Sequence, residues 1–195
     1  AILLPIAGWG VYLFRMPALV TLVAAVVSCV VFEALFRALL RRDIRIGDGT
    51  AVITGLLLAM VLSPATPVWM TVLGSFFAIV VGKEFFGGLG ANIFNPALIG
   101  RAFLAMSFTN SINIWISTHT ANVPDVVTSA TPLTFIKPVE GVVQSAADIA
   151  DKTGFFSSSE VYLNLFFGHR GGCIGESAIF LIAAAFLLLL VTRII

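Results

Sequence analysis

Apolar residues fill this chain in blocks that glycine and proline interrupt. From Pro17 to Leu40 almost every position is apolar or small, enough for the roughly 20 residues that a membrane-spanning helix requires. Pro17 stands where a helix tolerates proline, and Arg37, Arg41, Arg42 and Arg45 gather at the other end, a basic flank that marks the cytoplasmic side. Ahead of this block, Ile2 to Phe14 is about 13 residues long, short of the roughly 20 that a spanning helix requires, so it is expected to be either half of a span or a helix that starts ahead of these residues. Behind it come Ala51 to Leu62, Val68 to Gly82 and Ala97 to Phe108, separated by Ser63-Pro64-Ala65-Thr66-Pro67 and by the turn-rich run from Gly87 to Pro96. Short apolar pieces divided in this way predict broken membrane helices, whose irregular backbone survives only where protein or a cavity satisfies it.

The character changes from Thr109 to about Gly172, where Pro124, Pro132 and Pro138 mix with Asp148, Asp151 and Lys152. The pattern predicts one long extramembrane loop, with short helices near Gln144 to Ile149 and Ser159 to Phe166. A last apolar helix is expected from Glu176 to Val191, ended by Arg193. The chain thus divides into membrane helices over 1–108, a loop over 109–172 and a returning helix over 173–195. With Arg41 and Arg42 cytoplasmic, three crossings put Lys83 inside and the loop outside, and the last helix returns Arg193 to the cytoplasm. The loop's own Lys137, Lys152 and Arg170 count for little, because long loops escape the charge rule.

Composition makes a soluble domain untenable: 59% of residues are hydrophobic, 11% are charged and mean hydropathy is +1.06, far from soluble usage. A net charge of +1 gives no electrostatic footprint for nucleic acid. Cys29 and Cys173 are too few for a disulfide framework and lack metal-ligand spacing. The opening run has neither a basic flank nor a small-residue cleavage site, so no cleavable signal peptide is expected.

Three groups of residues could carry chemistry. Asp125-Val126-Val127-Thr128-Ser129-Ala130-Thr131-Pro132-Leu133 is a hydroxyl-rich run that reads either as solvated turns or as backbone that a modifying enzyme could grip. Asn95-Pro96 is an ordinary helix start, with Asn95 as N-cap, yet Asn92 and Asn95 together also offer amide donors and acceptors at a helix break. Glu33 lies inside the second block, where an ionisable group is functional by default, but Arg37 follows at the favourable spacing for a helical pair. Glu176 favours a helix dipole, and His119 and His169 have no partner spacing.

Several blocks, in order, resemble the RnfD and NqrB family, the large membrane subunits of the Rnf and sodium-pumping NADH:quinone oxidoreductase complexes. They are Ile46-Gly47-Asp48-Gly49-Thr50-Ala51-Val52-Ile53-Thr54-Gly55-Leu56-Leu57-Leu58-Ala59, then Lys83-Glu84-Phe85-Phe86-Gly87-Gly88-Leu89-Gly90 with Asn92, Asn95-Pro96 and Arg101-Ala102-Phe103-Leu104. Asp125 to Leu133 and Gly172-Cys173-Ile174-Gly175-Glu176-Ser177 follow. The wording around Asn92 and Asn95 is closer to RnfD. The resemblance implies an all-α polytopic membrane fold like half of the urea-transporter inverted repeat. It also implies that a flavin transferase joins FMN through its phosphate to Thr131, within a modification motif of Asp125, Thr128, Ser129 and Ala130. Ser129 departs from the family's glycine. If that glycine is left-handed, serine costs about 1 kcal/mol there.

By the same resemblance a non-covalent riboflavin is implied near Asn92 and Asn95. The implied function is electron transfer in a prokaryotic inner-membrane Rnf complex that exchanges electrons between ferredoxin and NAD and moves sodium or protons. Partners would be the flavin-carrying RnfG, the membrane proteins RnfA and RnfE, and the bilayer, with the flavin loop on the outer face. This chain would be one subunit of that oxidoreductase, without a complete active site. Alternatives are an NqrB-type subunit, and a solute transporter or channel of urea-transporter-like fold, since broken helices also suit permeation. Family members run longer, so a short N-terminal piece and a second, C-terminal membrane half are expected beyond these residues.

Overall fold

The computed structural model describes residues 3–41, 46–88, 90–116, 159–169, 171–177 and 179–193. Every regular element among them is helical: α1 (Leu3–Phe14), α2 (Met16–Leu39), α3 (Thr50–Val61), α4 (Val68–Phe76), α5 (Pro96–Ser107), the single turn α6 (Thr109–Ile112), α7 (Ser159–Phe167) and α8 (Ile179–Val191). Arg15, at φ 54°, makes the sharp break between α1 and α2. The stretches Met16–Leu39 and Val68–Phe86 are long and apolar enough to cross a membrane. By contrast α3 and α5 have 12 residues each, about 18 Å of helix against a hydrocarbon core of about 30 Å. The expected count of three full crossings therefore does not extend to α3 and α5, because each is too short to cross alone.

Two faces of α2 show how the bundle is built. Ala18, Leu22, Ala25, Cys29 and Glu33 are buried, and α2 packs against α3 and α4. On the other side Val20, Val23, Val27, Val31, Leu35 and Leu39 stand exposed at helical spacing, and no residue of α8 is buried. Apolar surface of this extent is out of place in water and suits lipid. In lipid the inward face gains little from leaving its solvent, so close packing holds the helices together. One core gathers Phe14, Ala18, Leu22, Ala25, Ala59 and Ile174, another Leu58, Leu62, Met70, Ala78, Ala97 and Leu104.

Two local departures from regular helix shape the site. Beyond α4 the chain widens into a π-helical segment over Phe77–Val81, in which the Gly82 N–H donates to the Phe77 carbonyl at 2.9 Å. Phe77 stacks there on Phe103 of α5, with ring centroids 3.5 Å apart. The second departure is at the other end of the chain: α8 begins at Ile179, not at Glu176, which lies in a turn. Residues 171–177 are instead used to close α3. The Gly175 and Ile174 N–H groups donate to the Met60 and Leu62 carbonyls at 2.8 and 3.2 Å, and the Cys173 thiol reaches the Val61 carbonyl at 3.3 Å. A helix ending inside a membrane leaves carbonyls without partners, and this turn supplies them. Gly175 permits the approach, since a Cβ there would lie 2.7 Å from Cβ of Met60.

Candidate functional site

Four charged side chains, two from α2 and two from the turn that follows the π-helical segment, meet near the C-terminal end of α2. Lys83 Nζ lies 2.7 Å from Glu33 Oε2, Arg37 Nη2 lies 3.0 Å from Glu84 Oε1, and Arg37 Nε is 3.4 Å from Glu33 Oε1. Glu33 and Lys83 are 1% exposed and Glu84 2%, so the charges are screened by one another and not by water. The expected Glu33 and Arg37 pair exists, but as one edge of a neutral quartet. Lys83 is correspondingly no free marker of sidedness, because its charge is buried and paired. The quartet also reaches the start of α3: Lys83 Nζ donates to Thr50 Oγ1 at 2.6 Å, and Thr50 donates through its hydroxyl and its backbone N–H to Asp48 Oδ1 at 2.8 and 3.0 Å. The backbone N–H of Thr50 first, and its hydroxyl second, hold the exposed Asp48 carboxyl below the usual carboxylate value.

The quartet is wrapped by the turn that leads to the two asparagines. Gly88 N–H donates to the Lys83 carbonyl at 3.1 Å, with φ at +93° and the Arg37 guanidinium 3.1 Å from where a Cβ would stand. A side chain there would meet both strain and the cation, which accounts for glycine. Asn95 is the N-cap of α5: its side chain accepts from Ala97 N–H at 3.0 Å and Pro96 follows at the first helical position. Asn92 differs, because its side-chain oxygen is buried and among the described residues has no hydrogen-bond partner. The two amides therefore differ in what they can offer a ligand: an unused acceptor on Asn92, and on Asn95 the NH2 group left after capping.

Farther along α5 a cavity of about 450 Å³ opens between α3, α5, the 171–177 turn and α8, with Leu57, Met60, Leu98 and Ile182 among its apolar walls. Arg101, Cys173 and Glu176 supply its polar edge. The Arg101 guanidinium donates to Cys173 Sγ at 3.7 Å. Next to this end of α3, Ser63 Oγ donates to the Ile114 carbonyl, and Ile112 and Ile116 are buried. Ile114 and Ile174 are thus both fastened to the C-terminal end of α3, through Ser63 and Leu62. Asp125, Thr128, Ser129, Ala130 and Thr131 lie outside the described residues, as does the helix expected at Gln144 to Ile149.

Comparison with known proteins decides the family. The profile of the NQR2, RnfD, RnfE family matches the chain over residues 1–195. The chain belongs to that family. It is similar to the D component of a proton-translocating ferredoxin:NAD(+) oxidoreductase complex from Clostridium ljungdahlii, 38% identical over 92% of this chain and 52% of the relative. It is also similar to the D component of a Na(+)-translocating complex of the same kind from Acetobacterium woodii, 42% identical over 89% of this chain and 50% of the relative. The D component of an ion-translocating oxidoreductase complex from Stutzerimonas stutzeri is 36% identical over 99% and 58%. The chain spans about half the length of these curated relatives.

The structure gives Arg101, Cys173, Lys83, Glu84 and Thr50 side-chain contacts that the sequence read alone did not suggest. A signal for Lys83 and Glu84 was available: two adjacent charges that follow an apolar block without a break, in a membrane chain, need buried partners. Arg101 likewise interrupts the apolar pattern of α5.

Proposed function

We propose that this chain forms part of the electron-transfer membrane protein RnfD of an Rnf-type ferredoxin:NAD oxidoreductase complex, with FMN held covalently at Thr131. Support comes from the family match along the whole chain, from the names of its relatives and from the run Asp125 to Thr131. Those names also favour the ferredoxin-linked complex over its quinone-linked counterpart. A bound flavin supplies reversible uptake of electrons; the protein supplies anchorage and environment. Thr131 would provide the hydroxyl for the phosphoester, and Asp125 would help the transferase recognise or activate it, since a threonine hydroxyl is a weak nucleophile unaided. Asn92, with its unused oxygen, and Asn95 fit the polar edge of a second, non-covalent flavin. The bilayer is that of a prokaryotic inner membrane, with Thr131 on its outer face. Neighbouring proteins of the complex, including RnfG, RnfA and RnfE, would deliver and take electrons while sodium or protons move.

The reading is tested by expressing the full-length protein together with its flavin transferase and viewing a denaturing gel under ultraviolet light. A fluorescent band at the protein's position is expected, and Thr131→Ala should abolish it. No band from the unaltered protein overturns the proposal, and a band that survives Thr131→Ala moves the attachment site. A transporter of the same fold would have no use for such a band.

A further inference from the structure

We propose that the groove between α2 and α4 seats one acyl chain of an anionic phospholipid, and that Arg15 binds its headgroup. The inference is independent of the flavin attachment proposed above, since it uses only α2, α4 and the residue between α1 and α2. The groove measures about 520 Å³ and is walled by Leu19, Val23, Val27 and Val31 of α2 and by Val68 and Val72 of α4. Among its described lining residues only Ser28 is polar, and its hydroxyl is spent within α2, donating to the Ala24 carbonyl at 2.6 Å. The walls thus hold out no donor to a polar guest and suit an apolar one. From Leu19 to Phe32 the groove follows α2 for about 20 Å, which leaves a mean cross-section of about 26 Å². That admits a single polymethylene chain and is roughly a quarter to a third of the section of a helix about 10–12 Å across. A neighbouring helix would bridge the groove, whereas a lipid chain fills it. Half of a hydrocarbon core is about 15 Å thick, so a chain entering from one membrane face occupies most of the length.

Charge decides which lipid enters and from which end. Leu19 stands one helical turn, about 6 Å, beyond Arg15, whereas Phe32 stops about 13 Å short of Arg41. Arg15, Leu19, Val23, Val27 and Val31 follow one another at four-residue spacing, a single ridge whose first member is the cation. Arg15 is exposed, and among the described residues its side chain has neither an ion pair nor a hydrogen bond. The 24 residues of α2 extend about 36 Å, enough to put Arg15 at the boundary between hydrocarbon and water, where a long basic side chain reaches the headgroups. It also stands at the positive pole of the α2 dipole, so it gains from an anion that the described chain does not supply. A guanidinium pairs with phosphate through two parallel hydrogen bonds. A zwitterionic lipid brings an ammonium group that Arg15 repels, and an anionic one does not.

The test uses the full-length protein, purified from membranes in mild detergent and followed by native mass spectrometry as phosphatidylglycerol or phosphatidylcholine with the same acyl chains is added. One phosphatidylglycerol should bind ahead of further lipids and more tightly than phosphatidylcholine. Arg15→Gln should weaken that first binding about fivefold, the order expected of one basic residue at an anionic surface, and should remove the preference between the two lipids. Arg15→Lys should keep the preference, and Arg41→Gln should leave it unchanged. Val27→Trp fills the groove from an exposed position and should weaken both lipids, with an unaltered size-exclusion profile showing that the fold is kept. Equal binding of the two lipids by the unaltered protein, or a first binding that survives both Arg15→Gln and Val27→Trp, would overturn the site. So would loss of a neighbouring membrane protein from Val27→Trp with lipid binding unchanged, which would make the groove a contact between proteins.

Discussion

The two ends of α3 are held in opposite ways. At its N-terminal end Thr50 accepts from Lys83, which is locked to Glu33; at its C-terminal end backbone N–H groups of Ile174 and Gly175 close the last turn. The first attachment depends on side chains and on charge balance, the second on backbone and on the absence of a side chain. A buried ion pair contributes little net stability when intact but costs heavily when halved. Backbone capping is indifferent to which side chain carries it, provided the chain can come close. The two ends of one short helix should therefore respond to different substitutions.

The largest effect is expected at the charged end. Lys83→Met leaves Glu33 buried without its 2.7 Å partner and should destabilise the protein by about 3–5 kcal/mol. Combining it with Glu33→Gln should recover much of that loss. Thermal unfolding in detergent, followed by the monodisperse fraction on size exclusion, measures both, and a double variant no better than Lys83→Met would deny the coupling. At the other end Gly175→Ala should cost less, about 1–3 kcal/mol from overpacking, since its Cβ would press on Met60. The same assay reads it, and equal stability would mean that the turn can move away from α3.

The smallest effect concerns pH. Asp48 is held below the usual carboxylate value by the N–H and hydroxyl of Thr50, so its contribution is complete above the ordinary carboxylate range and is lost as pH falls through the lowered folded-state value. Asp48→Asn keeps an acceptor for Thr50 but cannot titrate. Its stability should therefore fall less steeply on acidification than that of the parent, and identical acid limbs would exclude Asp48 as a source of the slope.

What the sequence disclosed follows from how local each cause is. The break between α1 and α2, the brevity of α3 and α5, and the cap at Asn95-Pro96 are set by neighbours in the chain, and the apolar blocks with their Gly and Pro punctuation revealed them. The quartet is another matter: Lys83 finds Glu33 from 50 residues away and Arg37 finds Glu84 from 47. Arg101 and Cys173 are separated by 72. No periodicity encodes such pairings. Glu176 misled for a similar reason, because an acidic residue before an apolar run looks like a helix start until α3 is seen to claim the turn around it. For Thr131 the hydroxyl-rich run spoke only through its resemblance to a family motif.

The π-helical segment over Phe77–Val81 has a consequence for how the chain can vary. One additional residue in a helical turn displaces everything beyond it by about 100° around the axis. Lys83 faces Glu33 because of that displacement, whereas Met70, Thr71 and Gly74 follow the register before it. Deleting any single residue between Phe77 and Val81 would give a more regular helix and carry Lys83 away from its carboxylate. The segment works as a phase shifter: its length is fixed not by the helix it belongs to but by an ion pair formed beyond its end.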